Sequence, residues 1–375
     1  MEELLKHHLF ATHAIAAAGS VTLASSLTHP LDTLKSLLQV GAGYRKQTNL
    51  SQVLDRVRSL SGFSGLYSGF GWSTFGRNLA IGARFGTYEI LTAFYKDGRE
   101  DNYVLVSEAL SAGFAAGAVE AFVNTPFELF KLREQLSSAS YVGKISPGKV
   151  AEGTSVISKS LPSYTPDRRA WNYTVGLLSV LPKHSCNLAD SLKECPWMLT
   201  GSGRLPLASE LKSPISVISL EGLGAIWRGL RPGIARDCVF GGVFFSTWQF
   251  LHIAMLDWKA VDMSPPPRSI DEIGSVSPLS ASLAAGFSGS LAAVASHCFD
   301  TAKTRSQCIV IPKYISVERK LLRWEVPGNW LERKTGISPR DRSILFRGIG
   351  LRMACSGFAS FGIVGGYLLA VKYIL

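Results

Sequence analysis

The sequence holds 375 residues, of which 18% are charged and 46% apolar, with a mean hydropathy of +0.17. A soluble chain carries about a quarter charged residues, so lipid is expected to form part of the solvent. The formal net charge is +11. A nucleic-acid binder sets such a surplus on a soluble scaffold, whereas long charge-poor stretches point to a membrane with basic connections.

In chain order, Glu2 and Glu3 precede any apolar run, so Met1 to Thr12 reads as neither a secretory signal nor an Arg-rich presequence. Any organelle address is then expected inside the chain. His7, His8 and His13 cluster here and are expected to face solvent. Six apolar stretches follow, at about Leu9–Gln39, Trp72–Tyr95, Val104–Leu136, Gly233–Leu256, Leu279–Gln307 and Gly348–Ile374. Each is near the ~20 residues that a bilayer-spanning helix needs. Helices are expected because lipid offers the backbone no hydrogen-bond partners. A single stretch would also suit a buried soluble helix; six together argue against that. Gly113 with Gly117, and Gly286 with Ser290, have the spacing that lets helix backbones approach closely.

The connections alternate. Those at about 40–71, 137–228 and 308–347 are long and basic, while those at about 96–103 and 257–278 are short and mixed or acidic. Both termini should lie on the short-loop side. From Ser137 to Pro206 the chain is rich in Ser, Pro, Gly and Lys, and an insertion with little order is expected there. Cys186, Cys195, Cys238, Cys298, Cys308 and Cys355 form no CxxC or zinc-spaced Cys/His cluster, so no metal site is expected. Cys186 and Cys195 share a polar loop, where two ordinary thiols are favoured over a redox pair.

Three stretches end alike. The first ends in Asp32, Lys35 and Gln39, the third in Glu128, Lys131 and Gln135, the fifth in Asp300, Lys303 and Gln307. The spacing i, i+3, i+7 puts acid, base and amide on one helix face. Ionisable groups at such depth need to face a bundle interior and pair. The triplication suggests a ring in which each Lys meets the acid of a neighbouring helix. Pro30 and Pro126 should kink their helices. A second element follows each stripe, ending in Tyr67-Ser68-Gly69, Trp227-Arg228-Gly229 and Phe346-Arg347-Gly348. Glycine there permits the turn into the next span.

These motifs resemble the signature of the mitochondrial carrier family, Pro-x-Asp/Glu-x-x-Lys/Arg-x-Lys/Arg followed by Asp/Glu-Gly-x-x-x-x-aromatic-Lys/Arg-Gly. The second repeat fits fully. The first departs at Leu37, Ser61 and Ser68, and the third at Cys298 and Arg340-Asp341. The resemblance implies an all-α membrane protein, with six transmembrane helices in three pseudo-symmetric two-helix repeats around a central cavity. The repeats would cover 1–100, 101–260 (with the insertion at 137–206) and 261–375. It also implies a monomeric multi-pass solute carrier of the mitochondrial inner membrane with both termini on the cytosolic side. Its partners would be a small-molecule solute and a lipid bilayer containing cardiolipin, with no nucleic acid and no cofactor.

By the same resemblance Asp32, Lys35, Glu128, Lys131, Asp300 and Lys303 would form a matrix-side gate, braced by Gln39, Gln135 and Gln307. The opposite gate is expected as aromatic-acid-x-x-base on the even helices. Only remnants stand there: Tyr88 and Glu89 without the base, and His252 in a helix with no secure charge. Leaky or uniport behaviour is expected from so weak a gate. Substrate contacts are expected at Arg84, at the adjacent Arg236 and Asp237, and at Cys355 and Ser356, whose small side chains leave room. Arg77 and Arg352 read as structural residues near the boundary. Within the family an Arg followed by an acid resembles carriers of amino acids and related zwitterions such as carnitine or S-adenosylmethionine. The guanidinium would hold a carboxylate and the acid an ammonium. The alternatives are a carrier-fold scaffold or receptor that no longer transports, and a membrane enzyme. No Ser/His/Asp set, HExxH motif or phosphate loop favours the enzyme.

Overall fold

The structure, a computed structural model, describes residues 2–41, 49–97, 104–139, 211–261, 263, 274, 276–310 and 342–374. The expectations for residues 140–206 of the insertion, for Cys186 and Cys195, for the side chains of His7 and His8, and for Arg340-Asp341 fall outside them. Among the described residues all regular structure is helical.

Nine helices occur in the described residues: α1 Glu2–Gly41, α2 Leu50–Ser61, α3 Phe70–Lys96, α4 Val106–Ser138, α5 Pro214–Glu221, α6 Leu230–Val261, α7 Pro278–Ala295, α8 His297–Cys308 and α9 Ile349–Ile374. A 3-10 turn precedes α3, α6 and α9, at Phe63–Tyr67, Leu223–Trp227 and Arg342–Phe346. α1 packs on α3, α3 on α4, α4 on α6, α6 on α7, α7 on α9, and α9 back on α1. The helices therefore close a ring. The short α2 is amphipathic: Val53, Val57 and Leu60 share its buried face.

Four segments, Val106–Ser138, Leu223–Val261, Pro278–Ala295 and Ile344–Tyr373, are long and apolar enough to cross a membrane. The first and second expected spans fall on α1 and α3. They have the length, with 40 and 27 residues. α1 carries Asp32 and Lys35 in its last turns, and α3 carries Arg77, Arg84 and Glu89 along its length. Helix α1 begins at Glu2 and lies along α9, where the half-buried His13 meets the Tyr367 hydroxyl at 3.0 Å.

Small residues set the ring's tightest crossings. A Cβ on Gly113 would stand 2.5 Å from the Gly241 carbonyl oxygen, and one on Gly117 would fall on the Asp237 carbonyl. These two glycines let α4 lie directly on α6. Across α7 and α9, Ser356 Oγ donates to the Gly289 carbonyl at 2.9 Å and Ser290 Oγ to the Met353 carbonyl at 3.3 Å.

The helix breaks do not fall where proline predicts them. α1 and α4 continue through Pro30 and Pro126. The fifth apolar stretch, expected as one element and lacking proline, is instead interrupted at Ser296, between α7 and α8.

Candidate solute cavity and its ion-pair ring

Each helix entry after a stripe uses a left-handed glycine: Gly69 at φ 79°, Gly229 at φ 81° and Gly348 at φ 77°. Each glycine also abuts a lysine of the following repeat. The nearest neighbour of Gly69 is the Lys131 backbone; Gly229 lies against Ser306, Gln307 and Lys303; Gly348 lies against Lys35. A side chain would be strained at this φ at all three positions, and at Gly69 and Gly229 it would also push on the stripe beside it.

The stripes converge on one end of a central cavity of about 210 Å³. Lys131 pairs with Asp32, Lys303 with Glu128, and Lys35 with Asp300 at 3.2 Å. Each lysine thus reaches the acid of the preceding repeat, with the third repeat's acid taking the first repeat's lysine. Lys35 also stands 3.4 Å from its own Asp32. Burial makes each pair costly to break one partner at a time, because the survivor stays charged in a dry site.

The glutamines follow the same cyclic order with one exception. Gln39 donates to Asp300 at 3.0 Å and to Thr301 Oγ1 at 3.2 Å, and Gln135 donates to Thr33 Oγ1 at 3.1 Å. The corresponding residue for Gln307 is Leu129, which has no hydroxyl. The Gln307 amide nitrogen is buried and has no hydrogen-bond partner among the described residues. The pair beside it is also the wettest: the Glu128 side chain is 21% exposed, against 6% for Asp32 and 4% for Asp300.

Outside the ring, Glu221 receives both Arg133, at 2.5 Å, and Arg228. The first repeat has Leu37, Ser61 and Ser68 at these three positions. Its departures from the signature are therefore a single exchange, in which a whole buried charge cluster gave way to packing. Leu37 is 2% exposed in a core with Val53 and Val57. Replacing a complete buried cluster by apolar groups costs little, unlike removing one member.

Arg84, Arg236, Asp237, Cys355 and Ser356 all line the cavity. None of the cavity arginines among them stands idle. Arg84 pairs with Glu120 on α4 and lies over the Phe240 ring at 4.8 Å. Arg236 holds Asp237 through two bonds, at 2.6 and 2.9 Å. It also reaches Glu128 at 2.9 Å and Asp300 at 3.2 Å. It thereby ties two acids of the ring to each other. Cys355 Sγ lies 3.7 Å from the Thr28 carbonyl. Arg77 meets the hydroxyls of Ser25 and Thr28, at 3.5 and 3.3 Å, and Arg352 meets Asp300 at 3.3 Å.

Tyr88, Glu89 and His252 do not line this cavity. Tyr88 stacks on Phe245 with ring centres 3.7 Å apart, Glu89 is exposed, and His252 stacks on Trp248. Among the described residues no ion pair joins them. Sequence reasoning missed Glu120, whose signal was a lone acid within an apolar run. It also missed the reach of Arg236 to the ring, which no local spacing reveals.

The sequence model described as "Mitochondrial carrier protein" matches residues 6–99. The first quarter of the chain is thus similar to the mitochondrial carrier family. Similarity extends to named members. Mitochondrial brown fat uncoupling protein 1 of Rattus norvegicus is 31% identical over 163 residues, covering 40% of this chain and 53% of that protein. Mitochondrial citrate transporter D of Aspergillus niger is 29% identical over 167 residues, covering 41% and 55%. The probable mitochondrial 2-oxoglutarate/malate carrier protein of Dictyostelium discoideum is 28% identical over 116 residues, covering 30% and 36%. The chain thus spans about half the length of the first curated relatives it matches.

Proposed function

We propose that this chain is a multi-pass mitochondrial carrier that moves a small carboxylate-bearing solute across the inner membrane by alternating access to the central cavity. It would act as a monomer, its termini on the cytosolic side, in a bilayer whose lipids include cardiolipin. The observation that carries the reading is the position of Arg236, which shares its guanidinium between Asp237 and two acids of the ion-pair ring. A solute carboxylate that takes Arg236 withdraws it from Glu128 and Asp300, and so loosens the closed end at the moment of binding. A cationic group on the same solute compensates Asp237, which Arg236 has left. Binding then favours the open state by differential affinity, as a population shift requires. The pairs Arg236–Asp237 and Arg84–Glu120 each offer both signs of charge, which suits an amino-acid-like zwitterion.

A second reading has its own support. Seven Lys or Arg side chains and five carboxylates line the cavity, a surplus that suits a di- or tricarboxylate. Two of the relatives above are named for such solutes. A thermal-shift screen of the purified protein against amino acids, carnitine, S-adenosylmethionine, keto acids, dicarboxylates and nucleotides separates the two, since a carrier is stabilised by what it binds. Hits are then tested for uptake into liposomes. Stabilisation by zwitterions alone, abolished in Arg236→Ala, supports the first reading. Stabilisation by dicarboxylates alone replaces it with the second. No ligand response and no uptake would leave a scaffold or receptor.

A further inference from the structure

The third repeat solves its helix bend without proline. In α1 and α4 the rings of Pro30 and Pro126 crowd the carbonyls of Ser26 and Phe122, one turn earlier. The third repeat has Cys298 at this place, whose N–H leaves a straight helix available. The chain nevertheless departs from regular helix at Ser296, with φ −96° and ψ 6°.

A cation sits on that break. Arg352 Nη1 donates to the Ser296 carbonyl at 3.1 Å, and its Nη2 donates to Ser296 Oγ at 2.7 Å. The same carbonyl accepts from the Asp300 N–H at 3.2 Å, and Ser296 Oγ donates to the Ala292 carbonyl at 2.8 Å. A helix carbonyl drawn outward by a side chain is a recognised cause of bending. The departure is paired with one on α9. Arg352 is the fourth residue after Gly348, and the equivalent residues after Gly69 and Gly229 are Ser73 and Gly233. The repeat that lost its proline is the one that carries an arginine opposite the bend.

We infer that Arg352 is a positioning residue that takes the place of proline in the third repeat, holding the α7–α8 bend by forking its guanidinium onto Ser296. The bend aims Asp300 at Lys35 and so closes the ring's third pair. Arg352 also lines the cavity. Its joint is thus made of hydrogen bonds that a bound anion could compete for, where the other two repeats carry a proline ring within a continuous helix. The inference concerns the bend and does not rest on the solute class proposed above.

The test is a comparison of thermal unfolding in detergent for four variants of the full chain. Arg352→Ala is expected to lower the melting temperature by about 4 °C, from the loss of charge-assisted hydrogen bonds. Arg352→Lys is expected to fall nearly as far, since an ammonium keeps a charge for Asp300 but has no fork for Ser296. Cys298→Pro is expected to be tolerated alone and, added to Arg352→Ala, to recover most of the loss. Should Arg352→Ala fail to fold, the double variant with Cys298→Pro is expected to fold. If Arg352→Lys behaves as wild type and Cys298→Pro rescues nothing, Arg352 is only a counter-ion of Asp300 and the inference is overturned.

Discussion

Gln135 donates to the hydroxyl of Thr33 across 3.1 Å, while the amide nitrogen of its counterpart Gln307 has no partner among the described residues, and Leu129 stands at the repeat position that Thr33 and Thr301 hold. One of three equivalent junctions is therefore left without its brace. Leu129→Thr supplies the missing hydroxyl. The new bond should return about 1 kcal/mol at this junction against the packing lost from a fully buried leucine, and should slow any uptake that requires this end to open. Thr33→Leu should do the reverse. Melting temperature and initial uptake rate, measured on the same preparations, check the pair; equal rates in all variants would sink it.

Arg84 and Glu120 form a second case where single and double changes should diverge. Arg84→Ala strands a buried carboxylate and should cost about 3–5 kcal/mol. The double variant with Glu120→Ala should cost markedly less. A double-mutant cycle in detergent unfolding reads the difference. If the two single losses simply add, the pair in the structure does not persist in solution.

Glu221 holds two arginines, so Glu221→Gln should destabilise strongly, again by about 3–5 kcal/mol. Replacing Arg133, Glu221 and Arg228 together by Leu, Ser and Ser copies the arrangement of the first repeat. That triple variant is expected to unfold closer to wild type than Glu221→Gln does, as measured by thermal unfolding.

At the α4–α6 crossing, Gly117→Ala puts a methyl group onto the Asp237 carbonyl. The helices must separate, and Asp237 moves with its backbone. The expected outcome is a loss of about 1–3 kcal/mol from overpacking, together with weakened solute stabilisation. Gly71→Ala, where a Cβ has open space, serves as the control.

The weak outer end makes a kinetic prediction. Tyr88, Glu89 and His252 form no charged closure among the described residues. Uptake of an identified solute into liposomes should therefore proceed without an internal counter-solute. Strict dependence on internal solute would remove this reading.

Much of this architecture was legible in the residues. The spacing of Asp32, Lys35 and Gln39, repeated twice more, is a helix-face pattern, and local geometry alone puts those groups together. The glycines at 69, 229 and 348 were likewise legible, because a left-handed turn leaves few alternatives. What escaped were relations between repeats. Glu120 becomes meaningful only once α4 lies beside α3, and the fault at Gln307 appears only when Leu129 is set against Thr33 and Thr301, the acceptors at the other two junctions. The break at Ser296 was missed because proline was taken as the sole source of bends, while its actual holder, Arg352, lies 56 positions away.

Helix α9 returns to α1, and His13 and Tyr367 touch across that seam. A ring closed in this way has no first repeat in any mechanical sense. Each module meets two neighbours, whatever its place in the chain. What distinguishes one module from another is then written at the junctions: a missing hydroxyl at one, an arginine-held joint at the next, an uncharged patch where a cluster once stood. Symmetry of this kind lets a carrier become directional without altering its plan, since three nominally equal hinges need only differ in the order in which they yield.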